Sequence, residues 1–189
     1  MSDQDPAEAP EQTAAVPAAQ NGPPSARQRM DEEFSAFYRS NISRLAGFLI
    51  NQGAALPLAT DIAQDTMVKA YQRWADLEDP RAWAHTVASR ALVRAIASVE
   101  EDPVERVPEP TSLLSRPDAI AEWETRYDAL PMLRSLPPRQ RQILAWTLAG
   151  YRPIDIAHHL DLPAETVRGS LAKARRAAAA YLKQREEEQ

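Results

Sequence analysis

Apolar side chains recur at helical spacing along the chain, and the clearest pattern lies between Leu136 and Arg176. Two apolar stripes are separated there by a short polar break. The first stripe contains Ile154, Ile156, Ala157 and Leu160, and the second contains Val167, Leu171 and Ala174. Spacings of three and four residues are typical of the buried face of a helix. The pattern predicts two short helices and a tight turn, followed by a longer basic helix.

The polar break between the stripes predicts a reversal of the chain. Asp161 falls where the chain must turn, and Asp tolerates a left-handed conformation better than most residues. Pro163 suits the first turn of the next helix, where a missing N–H costs little. A small protein uses this order of helix, turn and helix to place one helix in the major groove of DNA.

Four basic side chains lie off the second apolar stripe. They are Arg168, Lys173, Arg175 and Arg176. Their reach and charge suit contacts with phosphates and guanine edges. The alternative is an ordinary helical hairpin with a solvated basic face, because short helix-turn-helix patterns arise easily by chance.

Two further helices are expected near the N-terminus. The first, at about 31–51, has its apolar positions at Phe34, Phe37, Tyr38, Ile42, Leu45 and Leu49. The second is expected from about Pro57 to Trp74. Its polar face contains Asp61, Gln64, Asp65 and Lys69, and simple solvation is the usual fate of such a face.

A third helix is expected from Pro80 to about Ala97, with Asp79 as its N-cap. Trp83 is favoured as a core residue over a base-stacking one, because buried aromatic side chains outnumber functional ones. The basic side of this helix is a candidate surface for nucleic acid. It contains Arg81 and His85 at a spacing of four residues, and Arg90 and Arg94 at the same spacing.

Composition divides the chain into five segments. Residues 1–30 are rich in Ala, Pro and acid without an apolar period, which predicts a disordered tail. Residues 31–98 form a helical domain, 99–117 an acidic Pro-rich linker, 118–185 a second helical domain and 186–189 an acidic tail. A further helix is expected in the second domain, around Ile120, Trp123 and Tyr127. The expected fold is all-α: two small helical domains, of which the C-terminal one is a helix-turn-helix.

The distribution of charge matters more than the net charge of −5. Residues 130–185 sum to +7, whereas residues 99–129 sum to −6. Local charge sets the attraction to phosphate. The chain has no Cys, which excludes disulfides and thiolate metal sites. With no apolar span and no secretory signal, a cytoplasmic location without membrane contact is expected.

An enzyme is disfavoured by the same composition. The chain has three His and five Gly, and no Gly-rich phosphate loop. His158 and His159 are adjacent on a helix, so they point in different directions and make a poor metal pair. No catalytic residue, metal ligand or cofactor site is therefore expected.

Two ordered segments resemble the extracytoplasmic-function (ECF) sigma factors, the small two-domain initiation factors of bacterial RNA polymerase. The first, similar to sigma region 2, reads Asp61-Ile62-Ala63-Gln64-Asp65-Thr66, then Ala70-Tyr71-Gln72-Arg73-Trp74, then Pro80-Arg81-Ala82-Trp83. The second, similar to region 4, reads Leu136-Pro137-Pro138-Arg139-Gln140-Arg141, then Ile154-Asp155-Ile156-Ala157, then Thr166-Val167-Arg168. Together the matches extend over about residues 31–183.

The resemblance implies a promoter-specificity factor without catalysis of its own. It implies that Asp61, Gln64 and Asp65 bind the clamp of the largest subunit of core RNA polymerase. It implies that the minus-ten promoter element is melted and bound by Arg81, His85, Arg90 and Arg94. It implies that the minus-thirty-five element is read by Arg168, Gly169, Ala172 and Lys173, with Arg175 and Arg176 nearer the backbone. Promoter DNA is thus an expected partner, and an anti-sigma protein is a candidate partner.

The chain departs from the family pattern at several of these positions. Arg90 stands where Asn is usual, Arg94 where an acidic residue is usual, and Asp161 replaces the turn glycine. Gly169 and Ser170 replace a Ser-Arg pair, and Gly169 weakens its helix by roughly 1 kcal/mol relative to Ala.

Two other readings remain open at this point. A conventional helix-turn-helix regulator would bind duplex DNA tightly without polymerase, usually as a dimer. A sigma-like interaction module would bind polymerase without initiating transcription, and the altered positions Arg90 and Ser170 motivate this reading.

Overall fold

The structure, a computed structural model, describes residues 25–101 and 129–187. Every regular element in these two ranges is helical, which confirms the all-α class. The helices are α1 (Ala26–Asn51), α2 (Leu56–Gln72), α3 (Pro80–Glu101), α4 (Ala129–Ser135), α5 (Pro138–Leu148), α6 (Pro153–Leu160) and α7 (Ala164–Glu187). None of them is both long and apolar enough to cross a membrane.

Helix α1 begins at Ala26, five residues before the start expected from the apolar pattern. Ser25 is the reason, because its hydroxyl accepts from Gln28 N while the Gln28 side chain accepts from Ser25 N. This reciprocal capping satisfies two backbone donors at the helix start. The segment 1–30 is therefore not a tail over its whole length, and its residues 1–24 lie outside the described ranges.

Helices α2 and α3 follow the expected pattern closely. Helix α2 ends at Gln72, and a 3₁₀ turn at Trp74–Asp76 follows it. Asp79 caps α3 as expected, because its Oδ1 accepts from Ala82 N at 2.9 Å. Helix α3 continues to Glu101, three residues into the expected linker. The rest of the linker and the helix expected around Trp123 lie outside the described residues.

Helices α6 and α7 are joined by the three residues 161–163. Asp161 adopts φ 53° and ψ 53°, the left-handed conformation expected for it. Leu162 N then donates to Ala157 O at 2.9 Å, which satisfies a carbonyl at the end of α6. Pro163 lies one residue before α7 and not in its first turn, and its carbonyl accepts from Val167 N.

One hydrophobic core runs through both halves of the described chain. In the N-terminal half, the ends of α1, α2 and α3 contribute residues such as Leu49, Met67 and Leu92, all at most 1% exposed. In the C-terminal half, Ile143 and Val167 are equally buried. Phe48 and Trp146 meet edge to face at 5.2 Å between ring centroids and join the two sets. The halves α1–α3 and α4–α7 therefore pack directly against each other.

Candidate nucleic-acid interface

The outward face of α7 contains all six residues for which the sequence predicts contacts with the minus-thirty-five element. Arg168, Gly169, Ala172, Lys173, Arg175 and Arg176 are exposed. The opposite face packs into the core through Val167, Leu171 and Ala174, at most 4% exposed. The apolar stripe thus fixes the helix and turns its basic side chains to solvent.

The four basic side chains of this face make no ion pair within the described ranges. Their positive charge is therefore not neutralised by neighbouring carboxylates, and it is available to a polyanion. Gly169 lies among them, and a Cβ built on it would meet no atom within 4 Å. Packing within this chain does not explain a glycine at position 169.

The polar face of α2 presents the three residues predicted to bind polymerase. Asp61 and Asp65 are exposed and Gln64 is half-buried, while Ile62, Ala63, Thr66 and Met67 are buried on the other side. Asp65 accepts from Lys69 Nζ at 2.5 Å, and both side chains are about half exposed. Such a surface pair contributes about 0–1 kcal/mol, so a partner can replace it at little cost.

Helix α3 divides the four residues predicted for the minus-ten element into two pairs. Arg90 and Arg94 are exposed, with no ion pair in the described ranges. At about 100° per residue, they lie roughly half a turn from Arg81 and His85, respectively. Arg81 and His85 face the C-terminal half of the chain. The structure therefore does not bring the four side chains to one open surface.

His85 is only 3% exposed, which corrects its assignment to an open nucleic-acid surface in this arrangement. Its ring lies 4.5 Å from Phe48, 5.4 Å from Tyr151 and 6.2 Å from Trp146, measured between centroids. Its Nδ1 lies 2.8 Å from Arg81 O, so the neutral ring carries its proton on Nδ1 and donates it there. Burial lowers the pKa of His85 to about 4.

Arg81 is exposed in part but is already engaged by the C-terminal half. Its Nη2 donates to Ala149 O at 2.5 Å, and its guanidinium carbon lies 5.6 Å from the centre of the Tyr151 ring. Burial raises the pKa of the Tyr151 hydroxyl to about 12. Tyr151 is therefore neutral over the physiological range and acts as an aromatic partner of the cation.

His159 is a contact residue that the sequence did not reveal. Its ring stacks on Trp146 with centroids 5.2 Å apart and planes at 17°, and its Nδ1 lies 3.2 Å from Thr86 Oγ1. Burial, followed by the neighbouring His158, lowers its pKa. His158 is exposed, and its ring lies 5.7 Å from that of His159 between centroids, with the planes tilted by 56°. Within the described residues no group of His, Asp and Glu could hold a metal ion.

We call the contact between the halves the clasp. It comprises Arg81, His85, Thr86 and Ser89 on α3, Gln52 and Phe48 at the end of α1, and Gln142, Trp146, Ala149, Tyr151 and His159 in the C-terminal half. Trp146 and Tyr151 had no helical-period signal that linked them to α3. Only the packing of the two halves brings them together.

Four buried polar atoms, three in the clasp and one on the neighbouring Arg141, find no hydrogen-bond partner among the described residues. They are Gln52 Nε2, Arg141 Nε, Trp146 Nε1 and the Tyr151 hydroxyl. A buried group without a partner costs on the order of 1–3 kcal/mol relative to its state in water. Packing of the aromatic rings therefore stabilises the clasp, and the burial of unpartnered polar atoms destabilises it.

Comparison with known proteins gives one family match, in the N-terminal half, and a shared fold. Residues 37–100 match the model for sigma-70 region 2. No curated protein matches the chain in sequence. Among solved structures, the fold is similar to the sigma factor RpoE in complex with the anti-sigma factor NepR from Bartonella quintana. That match has a TM-score of 0.60 and 20% identity, and it covers 80% of this chain and 98% of that chain.

The fold is also similar to CnrH in complex with the cytosolic domain of CnrY. The TM-score is 0.57 at 20% identity, and the match covers 82% of this chain and 90% of that chain. These shares are too large to come from one half of the molecule, so the common fold includes both halves. Residues 37–100 are thus similar to sigma-70 region 2, and the chain shares the fold of these two solved structures.

Proposed function

We propose that this chain is a sigma factor, which binds the core RNA polymerase of its bacterial host and directs it to promoters. The observation that carries the proposal is the exposed basic face of α7, on a chain whose N-terminal half matches sigma-70 region 2. Arg168 and Lys173, with Gly169 and Ala172 between them, contact bases of the minus-thirty-five element in the major groove. Arg175 and Arg176 contact the phosphate backbone.

The polymerase-binding surface in this proposal is the polar face of α2. Asp61, Gln64 and Asp65 offer carboxylate and amide oxygens on one side of a helix whose other side is fixed in the core. Charge-assisted hydrogen bonds to these oxygens are stronger than neutral ones. The exposed positions of the two carboxylates support this assignment to the clamp of the largest polymerase subunit.

The minus-ten surface in this proposal is α3. Arg90 and Arg94 are open to DNA as the protein stands, and Arg81 and His85 lie on the same helix. Each unpaired base held by stacking or hydrogen bonds offsets part of the melting cost, on the order of 1–3 kcal/mol. The sigma factor supplies this binding energy, and polymerase carries out the chemistry.

An anti-sigma protein is proposed as a further partner, because one similar structure is the sigma factor RpoE in complex with the anti-sigma factor NepR. The other is also a complex, of CnrH with the cytosolic domain of CnrY. Exposed apolar side chains such as Val68, Leu148 and Ile154, each more than half exposed, would be covered by such a partner. Pull-down from the host with the wild-type chain and with Ile154→Asp tests this. Recovery of the same proteins by both chains would contradict a role for Ile154.

Run-off transcription with purified core polymerase on promoter fragments from the host tests the main proposal. We expect discrete new transcripts with the wild-type chain. Asp61→Ala/Gln64→Ala should lose them together with core binding, because it removes contact oxygens. Arg168→Ala/Lys173→Ala should lose the transcripts but keep core binding. Arg39→Ala/Arg44→Ala, which removes two exposed cations from α1, is the matched control and should remain active.

Other outcomes assign other functions. Association with core without transcripts would indicate an interaction module. Sharp gel shifts of duplex DNA by the chain alone, with no association with core, would indicate a conventional regulator and would overturn the initiation role.

A further inference from the structure

A glycine lies within the basic face of α7, in a helix that would be more stable without it. Gly169 is the sixth residue of α7, and its backbone is helical, without a positive φ. Glycine weakens a helix relative to Ala, because its backbone loses more conformational freedom on folding. A Cβ at this position would meet no atom within 4 Å. The described fold therefore does not require a glycine here, so any requirement for it comes from a partner.

Gly169 lies on the side of α7 that is furthest from the core. The buried stripe of α7 consists of Val167, Leu171 and Ala174. At about 100° per residue, Gly169 is directed roughly opposite to the mean direction of these three residues. Because Gly169 has no side chain, a partner on the outward face can touch the helix backbone itself at this point.

The residues around Gly169 are one small neutral residue and two long cations. Ala172 follows Gly169 at a spacing of three residues, so the two are neighbours on the helix surface. We call Gly169 and Ala172 the apolar strip. Arg168 and Lys173 lie on either side of it, and all four residues are exposed. The outward face therefore presents a shallow apolar strip between two cations.

The chemistry of the apolar strip selects one group among the base edges of the major groove. Guanine presents acceptors, which suit Arg168 and Lys173, whereas thymine presents its C5-methyl group. The strip has no side-chain donor or acceptor, and helical backbone groups are already hydrogen-bonded within the helix. A methyl group is therefore the base-edge group that suits the strip. A side chain at position 169 would occupy the volume that this methyl group needs.

We propose that Gly169 determines promoter specificity: its missing side chain lets the backbone of α7 pack directly on the C5-methyl group of one thymine in the minus-thirty-five element. Residues near the start of a recognition helix are the ones that reach base edges, and Gly169 lies in the second turn of α7. The inference rests on the proposed function, and its test distinguishes a failure of one from a failure of the other.

The test is a double-mutant cycle between a methyl group on the protein and a methyl group on the DNA. The protein variant is Gly169→Ala. The DNA variants are promoter duplexes in which single thymines of the minus-thirty-five element are replaced by deoxyuridine, which lacks only the C5-methyl group. Affinities are measured at one salt concentration by competition, with the chain bound to core polymerase and with promoter fragments that yield run-off transcripts.

We expect a reversal of preference at one position of the element. The wild-type chain should lose about fourfold in affinity when uracil replaces thymine there, because one buried methyl group is lost. Gly169→Ala should bind the thymine duplex about tenfold less tightly than the wild type, as for one mismatched base pair. At the same position, Gly169→Ala should bind the uracil duplex more tightly than the thymine duplex.

Ala180→Gly is the matched control. It removes the same methyl group from an exposed position about 16 Å further along α7, and it should keep the wild-type preference at every position. Thermal melting of Gly169→Ala should show a chain at least as stable as the wild type, so that a lower affinity is not caused by unfolding. Wild-type affinity of Gly169→Ala for all duplexes, or an unchanged preference for thymine at every position, would overturn the role of Gly169.

A wild-type chain that gives no transcripts and does not bind core would contradict the proposed function instead. The same cycle is then measured with the chain alone, on a duplex that the wild type enriches from a randomised pool. A reversal of preference at one thymine of that duplex would support the role of Gly169. Its absence, or the enrichment of no sequence at all, would overturn that role.

Discussion

Helices α3 and α7 both contain basic residues predicted to contact DNA, but they differ in how much of that surface is exposed. On α7 the basic face is exposed along its length, and the apolar face alone meets the protein. On α3 one side packs within its own half and another side is covered by the C-terminal half. A polar face is therefore not the same as an open face, because polar side chains can also line an intramolecular contact.

The largest effect is expected from removal of the ring that joins the halves. Trp146→Ala should lower the free energy of unfolding by about 3–5 kcal/mol, because a fully buried indole leaves a cavity. Urea denaturation followed by circular dichroism measures this. Trp83→Ala is the comparison, since Trp83 is half-buried and lies on α3 away from the clasp, and it should cost less. An equal loss of unfolding free energy in the two variants would contradict the larger contribution expected of Trp146.

The next effect is a dependence of stability on pH. The folded-state pKa of His85 is about 4, below its ordinary value of 6.5, so the folded chain binds this proton less well than the unfolded chain. This contribution is fully present above pH 6.5 and is lost as pH falls toward 4. The loss should be on the order of 2 kcal/mol between pH 7 and pH 5.

Other charged groups near these rings contribute to the pH profile and require a control. The pKa of His85 is also affected by the charges of Asp79, Arg81 and His159. The pKa of His159 is affected by those of Asp79, Arg90, Asp155 and His158. The difference between wild type and His85→Gln isolates His85. Urea denaturation at several pH values should give a flatter profile for the variant between pH 7 and pH 5. Parallel profiles would mean that His85 is not buried in solution.

A smaller effect is expected at the turn before α7. Asp161 has φ 53°, and a left-handed conformation costs an ordinary residue about 1–2 kcal/mol. Asp161→Ala should therefore destabilise the chain by about 1 kcal/mol, whereas Asp161→Gly should be neutral or stabilising. Thermal melting of both variants measures the difference. If both variants melt at the same temperature, backbone conformation does not determine the residue at this turn.

The smallest effect is expected on the open face of α7. A methyl group at position 169 meets no neighbouring atom, so Gly169→Ala should stabilise the helix by roughly 0.5–1 kcal/mol. Chemical denaturation measures the gain. A destabilised Gly169→Ala chain would show that this face of α7 is covered. The contrast between an open α7 and a partly covered α3 would then be wrong.

Local features of the fold were predictable from the sequence because they depend on neighbouring residues. The Asp79 cap, the left-handed Asp161 and the buried stripe of α7 all follow from short-range chemistry. The start of α1 was missed because Ser25 and Gln28 form a cap in a segment whose composition suggested a tail.

The candidate surfaces were predictable only where a single helix determines them. The exposed faces of α2 and α7 follow from the helical period. The burial of His85 does not, because it depends on Trp146 and Tyr151, which lie some 60 positions further along the chain. Periodicity identifies the sides of a helix but not the element that packs on each side.

The most direct test of the whole account is a distance between the two halves of the folded chain. Glu78→Cys and Leu148→Cys give exposed labelling sites on either side of the contact between Arg81 and Ala149, in a chain with no other Cys. Fluorescence energy transfer between dyes at these sites should be high in the folded chain and should fall when urea unfolds it. Low transfer in the folded chain would contradict the direct packing of the two halves and the burial of His85 between them.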